Sequence, residues 1–416
     1  MTDNQPIFSA LRPQQPDALL ALIAMHRADQ RGEKIDVGVG VYRDRSGLTP
    51  VMRAVKMAET RLVAQQSSKS YLGSDGDIRF TQLLGELIFS AQSVDDDRRF
   101  GLQTPGGTGA LRVGAALLTR AMPDARVWVS QPTWPNHAPI FAEAGMATLT
   151  HPYFDAKTGG IAFDLMLTAL DEARAGDVVL LHGCCHNPTG TQFSVEQWQA
   201  LAALCSLRGL IPFIDLAYHG LGDDLAPDGA GARMMMEAVP AALLAYSCDK
   251  NFALYRDRVG ALFVQAPSAP LAEMARANTL ALARSLWSMP PDHGAAVVRM
   301  ILDDPALRKD WRSELERMRT RLNRMRTALA AAHPLLAPIA RQRGLFSRLP
   351  IDPQTVEALR DHHGIYMPAD GRINVAGLND ANIGRFIEGL LPHLEECSDA
   401  PSPTILSHSS LKEPCT

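Results

Sequence analysis

Lys250 lies in the run Ala245-Tyr-Ser-Cys-Asp-Lys-Asn-Phe-Ala-Leu-Tyr-Arg-Asp-Arg-Val-Gly260, between two apolar segments. The first, Ala241 to Tyr246, reads as a buried strand that stops at small and polar residues. The second, Val259 to Val264, starts directly after Arg258, eight residues beyond the lysine. An amine at the mouth of a sheet can attack an aldehyde, and a fixed guanidinium beside it can hold an anion. A Schiff-base site with a phosphate-bearing cofactor needs both. A lysine alone in a turn is ordinarily a solvated surface group, so the weight rests on what else reaches the same place.

The elements around it alternate. Val127-Trp-Val-Ser130, Asp177 to Gly183, Leu210 to Asp215, Ala241 to Ser247 and Val259 to Val264 read as strands, with helical segments such as Ser194 to Leu207 between most of them. Strands apolar on both faces and separated by helices predict an α/β fold with a mostly parallel sheet covered on both sides. In such sheets the binding crevice lies beyond the carboxyl ends of the strands. Asn187, Asp215 and Lys250 all fall at strand ends. A long helix is expected from about Asp304 to Ala332, with Leu307, Trp311, Leu315, Met318, Leu322, Met325 and Leu329 at steps of three and four. A stripe of that length can bridge two domains. Gly344 to Leu349 and Arg372 to Val375 read as strands of a smaller domain, which Lys34 to Tyr42 is expected to join.

Composition excludes several classes. The 416 residues allow two domains, and a net charge of −4 without a basic stripe argues against nucleic acid. The longest apolar runs fall short of the roughly 20 residues of a membrane span. Met1 to Pro6 lacks a basic start with an apolar run behind it, so no signal peptide is expected and a cytoplasmic location is. The cysteines at 184, 185, 205, 248, 397 and 415 form no disulfide framework. Cys184-Cys185-His186 has the wrong spacing for a tetrahedral metal site, so buried thiols and no metal are expected.

Six segments carry a family resemblance: Gly38-Val-Gly-Val-Tyr42, Tyr71-Leu-Gly-Ser-Asp-Gly76, Gln103-Thr-Pro-Gly-Gly-Thr-Gly-Ala-Leu-Arg112, Trp134-Pro-Asn-His137, His182-Gly-Cys-Cys-His-Asn-Pro-Thr-Gly190 and Gly371-Arg-Ile-Asn-Val-Ala-Gly377. In that order, from about Phe8 to Cys397, the chain resembles the aspartate and aromatic aminotransferases, class I members of the fold-type-I pyridoxal-phosphate enzymes. The resemblance implies a large domain with a mostly parallel seven-stranded sheet over 49–317. It also implies a smaller α/β domain from 1–48 and 318–397. The Ser- and Pro-rich 398–416 is expected to be a disordered tail.

The resemblance also implies roles. Lys250 matches the lysine that bonds the aldehyde of pyridoxal 5′-phosphate and shuttles the substrate proton. Asp215 matches the acid that pairs with the ring nitrogen, and His137 its supporting partner. Tyr218 and Asn187 match the donors to the phenolic oxygen, and Trp134 matches the ring stacked on the pyridine face. Gly107 and Thr108, with Ser247 and Arg258, match the phosphate ligands, joined by Tyr71 from a neighbouring subunit. Arg372 matches the α-carboxylate receptor, Gly40 allows close backbone approach there, and Arg284 matches the arginine a partner subunit offers to a distal carboxylate. A homodimer with shared sites follows, acting on amino acids and 2-oxo acids such as 2-oxoglutarate.

Several residues depart from the family pattern. Ser70 and Met289 stand where asparagines are usual, which points to a broad or aromatic-leaning pocket, and Leu286 and Trp287 replace an Asn-Tyr pair, a change expected to reshape the pocket mouth. Asp249 stands where Ser, Ala or Thr is usual. It is expected to be a tolerated change one layer behind the cofactor, the alternatives being contact with Lys250 or an arginine. The competing function is another reaction on the same scaffold, such as β-elimination, β-decarboxylation or transamination in a specialised pathway. A non-catalytic descendant would be expected to lose Lys250 or Asp215, and both are present.

Overall fold

The computed structural model describes residues 7–9, 11–13, 18–89 and 96–399, so the tail expected after 397 lies almost wholly outside the described residues. A seven-stranded sheet forms the centre. From edge to edge it runs Arg99–Pro105, Val259–Gln265, Ala242–Ser247, Ile211–Leu216, Val178–His182, Arg126–Gln131 and Ala147–Pro152. Val259–Gln265 is antiparallel to both neighbours, and the remaining pairings are parallel. The two edge strands are absent from the sequence reading.

Alternation along fully buried strands divides the core in two. Val179, Leu181, Ile214, Leu244 and Tyr246 face one cluster. Val178, Leu180, Phe213, Leu243 and Ala245 face the other, which the helix Gly106–Ala121 covers. Period-two geometry then places His182, Asp215 and Ser247, each two residues beyond a member of the second cluster, on that same face.

A third cluster gathers Ile35, Val37, Leu336, Leu349, Ile365 and Ile373. Here Ile35–Asp36 pairs with Ile365–Tyr366, and Phe346–Arg348 with Arg372–Asn374. The segment after Ile35 does join these later strands, as its sequence suggested. The helix Pro305–Ala330 spans both regions. Its Leu307, Trp311, Leu315, Met318 and Leu322 pack on the large sheet, whereas Met325 and Leu329 pack in the third cluster. Asp304 starts it by accepting from the amides of Ala306 and Leu307, with Pro305 at the first helical position. No described helix is long and apolar enough to cross a membrane. Cys184, Cys185, Cys205 and Cys248 are buried and free.

Trp311 ties this long helix to the lysine loop. Its indole N–H donates to the Asn251 carbonyl at 2.7 Å, and its ring stacks on Phe252 at 4.5 Å. Trp311→Phe keeps most of the packing and orphans that carbonyl. It is expected to lower the unfolding free energy by about 1–3 kcal/mol, read by urea denaturation.

Candidate active site

The strand register builds the site. His182 lies opposite Asp215, Asp215 opposite Ala245, and Ser247 opposite Gly260, which faces Thr104 on its other side. The carboxyl ends of the parallel strands therefore line up with Pro105. Because Val259–Gln265 runs antiparallel, its amino end reaches the same edge and delivers Arg258 there. The turn between Ser247 and Val259 delivers Lys250.

At this edge lies a cavity of about 330 Å³. Gly40, Gly107, Thr108, Trp134, Asn187, Asp215, Tyr218, Ser247, Asp249, Lys250, Arg258 and Arg372 all line it. His137 stands behind Asp215. Its Nε2 is 3.0 Å from Asp215 Oδ2, and its Nδ1 is 2.8 Å from the Thr133 hydroxyl. Trp134 meets the His137 ring edge-on at 5.1 Å. Lys250 Nζ lies 5.5 Å from the centre of the Tyr218 ring.

Burial would raise the Asp215 pKa, but the hydrogen bond with His137 and the electrostatic influence of its basic neighbours, Lys250 among them, outweigh it. The carboxyl is held below its usual range. Burial also pulls the Lys250 amine below the usual lysine range, against the opposing pull of Asp249 and Asp215. Arg372 is likewise lowered by burial. Its Nη2 donates to the Gly38 carbonyl at 3.0 Å, and its guanidinium lies over Phe346 at 4.7 Å. Its buried Nε finds no partner among the described residues, which leaves a donor for an incoming carboxylate.

Close backbone approach is visible at two places. A Cβ on Gly107 would stand 3.2 Å from the Ser247 Cβ, so the first turn of the helix Gly106–Ala121 lies directly against Ser247. That turn leaves its early amides for an anion. A Cβ on Gly40 would come within 2.9 Å of Phe346. The segment bearing Gly40 is pinned by Asn374, whose side chain donates to the carbonyls of Val39 and Val41 at 2.6 and 2.7 Å. The Tyr255 hydroxyl accepts from the Tyr42 amide at 2.7 Å and joins this segment to the lysine loop.

Three positions differ from expectation or stand apart. Asp249 is not behind the cavity but in it: its Oδ2 accepts from Arg258 Nη1 at 2.6 Å and lies 3.8 Å from Lys250 Nζ. The physical reason is the antiparallel strand, which brings Arg258 back over the residue that precedes the lysine. Tyr71 is 87% exposed, and Arg284 is exposed near the end of the helix Ala269–Leu286. Neither lines the cavity. Ser70, Leu286, Trp287 and Met289 also lie outside it; the Met289 sulfur accepts from the Leu72 amide at 3.1 Å.

Sequence reasoning does not single out Phe346 or His182. Phe346 forms a wall beside Arg372 and Tyr218, and only the unusual closeness of Gly40 reveals it. The signal that could have found His182 is its place at the end of the strand that precedes Asn187.

The residues fit a phosphate-bearing aromatic ring. The buried Asn187 Oδ1 lacks a hydrogen-bond partner among the described residues and its side chain lines the cavity. A buried carboxylate, an aromatic wall and an anion cradle stand around the same space. Comparison with known proteins agrees. The family model described as aminotransferase class I and II matches residues 32–390. Tyrosine aminotransferase of Rhizobium meliloti (strain 1021) is 50% identical over 379 residues, covering 90% of this chain and 97% of that protein. Aspartate aminotransferase of Escherichia coli (strain K12) is 41% identical over 393 residues, covering 92% and 99%. Among solved structures, aromatic-amino-acid aminotransferase from Burkholderia pseudomallei, covalently bound to pyridoxal phosphate, superposes with a TM-score of 0.91 at 36% identity, covering 94% of this chain and 100% of that one.

His182 gives the site an acid limit. Burial, with the neighbouring His137, holds its pKa down to about 3, against 6.5 for the free side chain. Below pH 6.5 the unfolded chain binds a proton that the folded one refuses. Stability attributable to this group is complete above that pH and falls as pH drops towards 3, by up to about 1.4 kcal/mol per pH unit. His182→Gln is expected to flatten the stability–pH slope by up to that amount, measured by urea denaturation between pH 5 and 7.

Proposed function

The chain belongs to the class I and II aminotransferases, which use pyridoxal 5′-phosphate to move an amino group between an amino acid and a 2-oxo acid, and from that premise we propose which residues act and on what. The observation that carries the assignment is a single cavity lined by Lys250, Asp215, Arg258 and Arg372. The cofactor, when bound, supplies an aldehyde that captures amines and a ring that draws electrons from the substrate Cα.

Lys250 is assigned the bond to that aldehyde and, once released, the removal and return of the Cα proton. Its lowered pKa supports this, because more of the amine is free base near neutral pH. Asp215 is assigned the ring nitrogen, where an anion favours the protonated ring. His137 holds that anion in place and Trp134 covers the ring face. Tyr218 and Asn187 donate to the phenolic oxygen. Gly107, Thr108, Ser247 and Arg258 hold the phosphate. Arg372, backed by Phe346, takes the substrate α-carboxylate, and Gly40 lets the backbone come close to it.

A cytoplasmic homodimer belongs to the same proposal. Tyr71 and Arg284 are solvent-exposed and do not line the cavity of their own chain, as expected of residues that complete the site of a second copy. The division at 1–48, 49–317 and 318–397 belongs to the proposal too; two separate cores support a large and a smaller domain, with the long helix passing from one to the other between Leu322 and Met325, a few residues beyond the proposed boundary.

For substrates we favour aromatic L-amino acids, with aspartate and glutamate also accepted and 2-oxoglutarate as amine acceptor. Support comes from the aromatic walls of Trp134 and Phe346, from Met289, and from relatives named for tyrosine and aromatic amino acids at 50% and 45% identity.

Cofactor-loaded protein is expected to show a near-ultraviolet or visible band that phenylalanine shifts faster than aspartate in stopped-flow absorbance. A faster response to aspartate would reverse the substrate preference. Lys250→Ala is expected to retain bound cofactor and lose at least about 10²-fold in transamination rate. Arg284→Ala is expected to cost roughly 30-fold or more in kcat/KM for aspartate and much less for phenylalanine. Equal losses would remove Arg284 from the distal-carboxylate role.

A further inference from the structure

Arg258, assigned above to the phosphate, already has an anionic partner. Its Nη1 donates to Asp249 Oδ2 at 2.6 Å and to the Tyr255 carbonyl at 3.1 Å. The Asp249 side chain is only 6% exposed, and its Oδ1 has no hydrogen-bond partner among the described residues. Its amide donates to the Ser247 hydroxyl at 3.3 Å, so the carboxylate stands inside the anion cradle rather than beside it. Lys250 Nζ, at 3.8 Å from Oδ2, is the other cation within reach.

A phosphate dianion seated against Gly107, Ser247 and Arg258 would meet this carboxylate as a like charge at close range. Arg258 cannot offer its full fork to both. We propose that Asp249 is a built-in counterion which Arg258 must exchange for the phosphate, so that this chain holds its cofactor loosely and reversibly. The inference rests on the assignment of Arg258 to the phosphate. Before the cofactor arrives, Asp249 keeps the guanidinium neutralised and in place. On arrival it must turn away or take a proton, and either change costs free energy that a neutral residue would not incur. Occupancy of the site then follows the free cofactor concentration.

The cost falls on the phosphate alone, which separates it from general damage to the cavity. The test titrates cofactor-stripped protein with pyridoxal phosphate and, separately, with pyridoxal, which lacks the phosphate, following tryptophan fluorescence. Asp249→Asn and Asp249→Ser are both measured, so that one poorly folding variant does not decide the matter, and near-ultraviolet circular dichroism verifies folding. Both are expected to bind pyridoxal phosphate roughly tenfold or more tightly than the parent, with slower release, while pyridoxal affinity changes little. Unchanged or weaker binding of pyridoxal phosphate in the folded variants would overturn the counterion role and make Asp249 a support for Arg258. Arg258→Ala is the control. If it binds pyridoxal phosphate as well as the parent, the phosphate assignment itself fails. If it binds weakly while both Asp249 variants match the parent, only the counterion role fails.

Discussion

An ionised carboxylate held away from water is costly unless it is paired and hydrogen-bonded, and Asp215 is such a group at the centre of the sheet edge. His137 meets it at 3.0 Å and is held in turn by Thr133 at 2.8 Å. That chain needs the strand Ile211–Leu216 in register with its neighbours, and it needs the turn after Arg126–Gln131 to return across the sheet end. In the proposed assignment the cofactor's ring nitrogen would meet the cavity-facing side of Asp215 as a cation. Much of the sheet's carboxyl edge can be understood as the means of keeping this acid anionic and accessible from one side.

The second constraint is the single antiparallel strand beside the parallel ones. A parallel strand brings only its last residues to the carboxyl edge. Val259–Gln265 brings its first residues there, so a short loop can deliver Lys250 and Arg258 to one cavity. The same economy sets Asp249 against Arg258. The loop is held from outside by Trp311, which bonds the Asn251 carbonyl and stacks on Phe252, and at its far end by Tyr255 against Tyr42. The lysine loop is thereby anchored at both ends to the first hydrophobic cluster.

What was legible in the sequence follows from where each signal resides. Lys250, Asp215 and Asn187 end apolar runs, and strand-end chemistry can be read without coordinates. The long helix shows its stripe at steps of three and four, and its described span, Pro305–Ala330, falls within the expected one. Arg99–Pro105 was hidden because Phe100 and Leu102 stand singly among Arg, Gly, Gln and Thr, and Ala147–Pro152 because an edge strand with a single buried residue carries no apolar run. Phe346 lies within a segment read as a strand, but its meeting with Gly40 depends on how two distant segments dock. Asp249 was visible as a departure. Its partner was not, because contact with Arg258 requires the chain to reverse direction between them.

Substrate choice sits differently from cofactor binding. In the proposed assignment one chain supplies the groups for the phosphate, the ring and the α-carboxylate within a single cavity. In that assignment no lysine or arginine among the residues lining it is left over for a substrate side chain, and its remaining walls are largely aromatic and apolar. Arg284, Leu286, Trp287 and Met289 lie outside, around the end of one helix and the turn that follows. In the proposed dimer these residues reach the cavity only from the second copy. Discrimination by side chain would then depend on how two chains dock, while the chemistry depends on one. A pocket closed by mainly apolar residues can tolerate more than one side chain at little cost to the reaction, because one apolar contact discriminates by only about 1–3 kcal/mol.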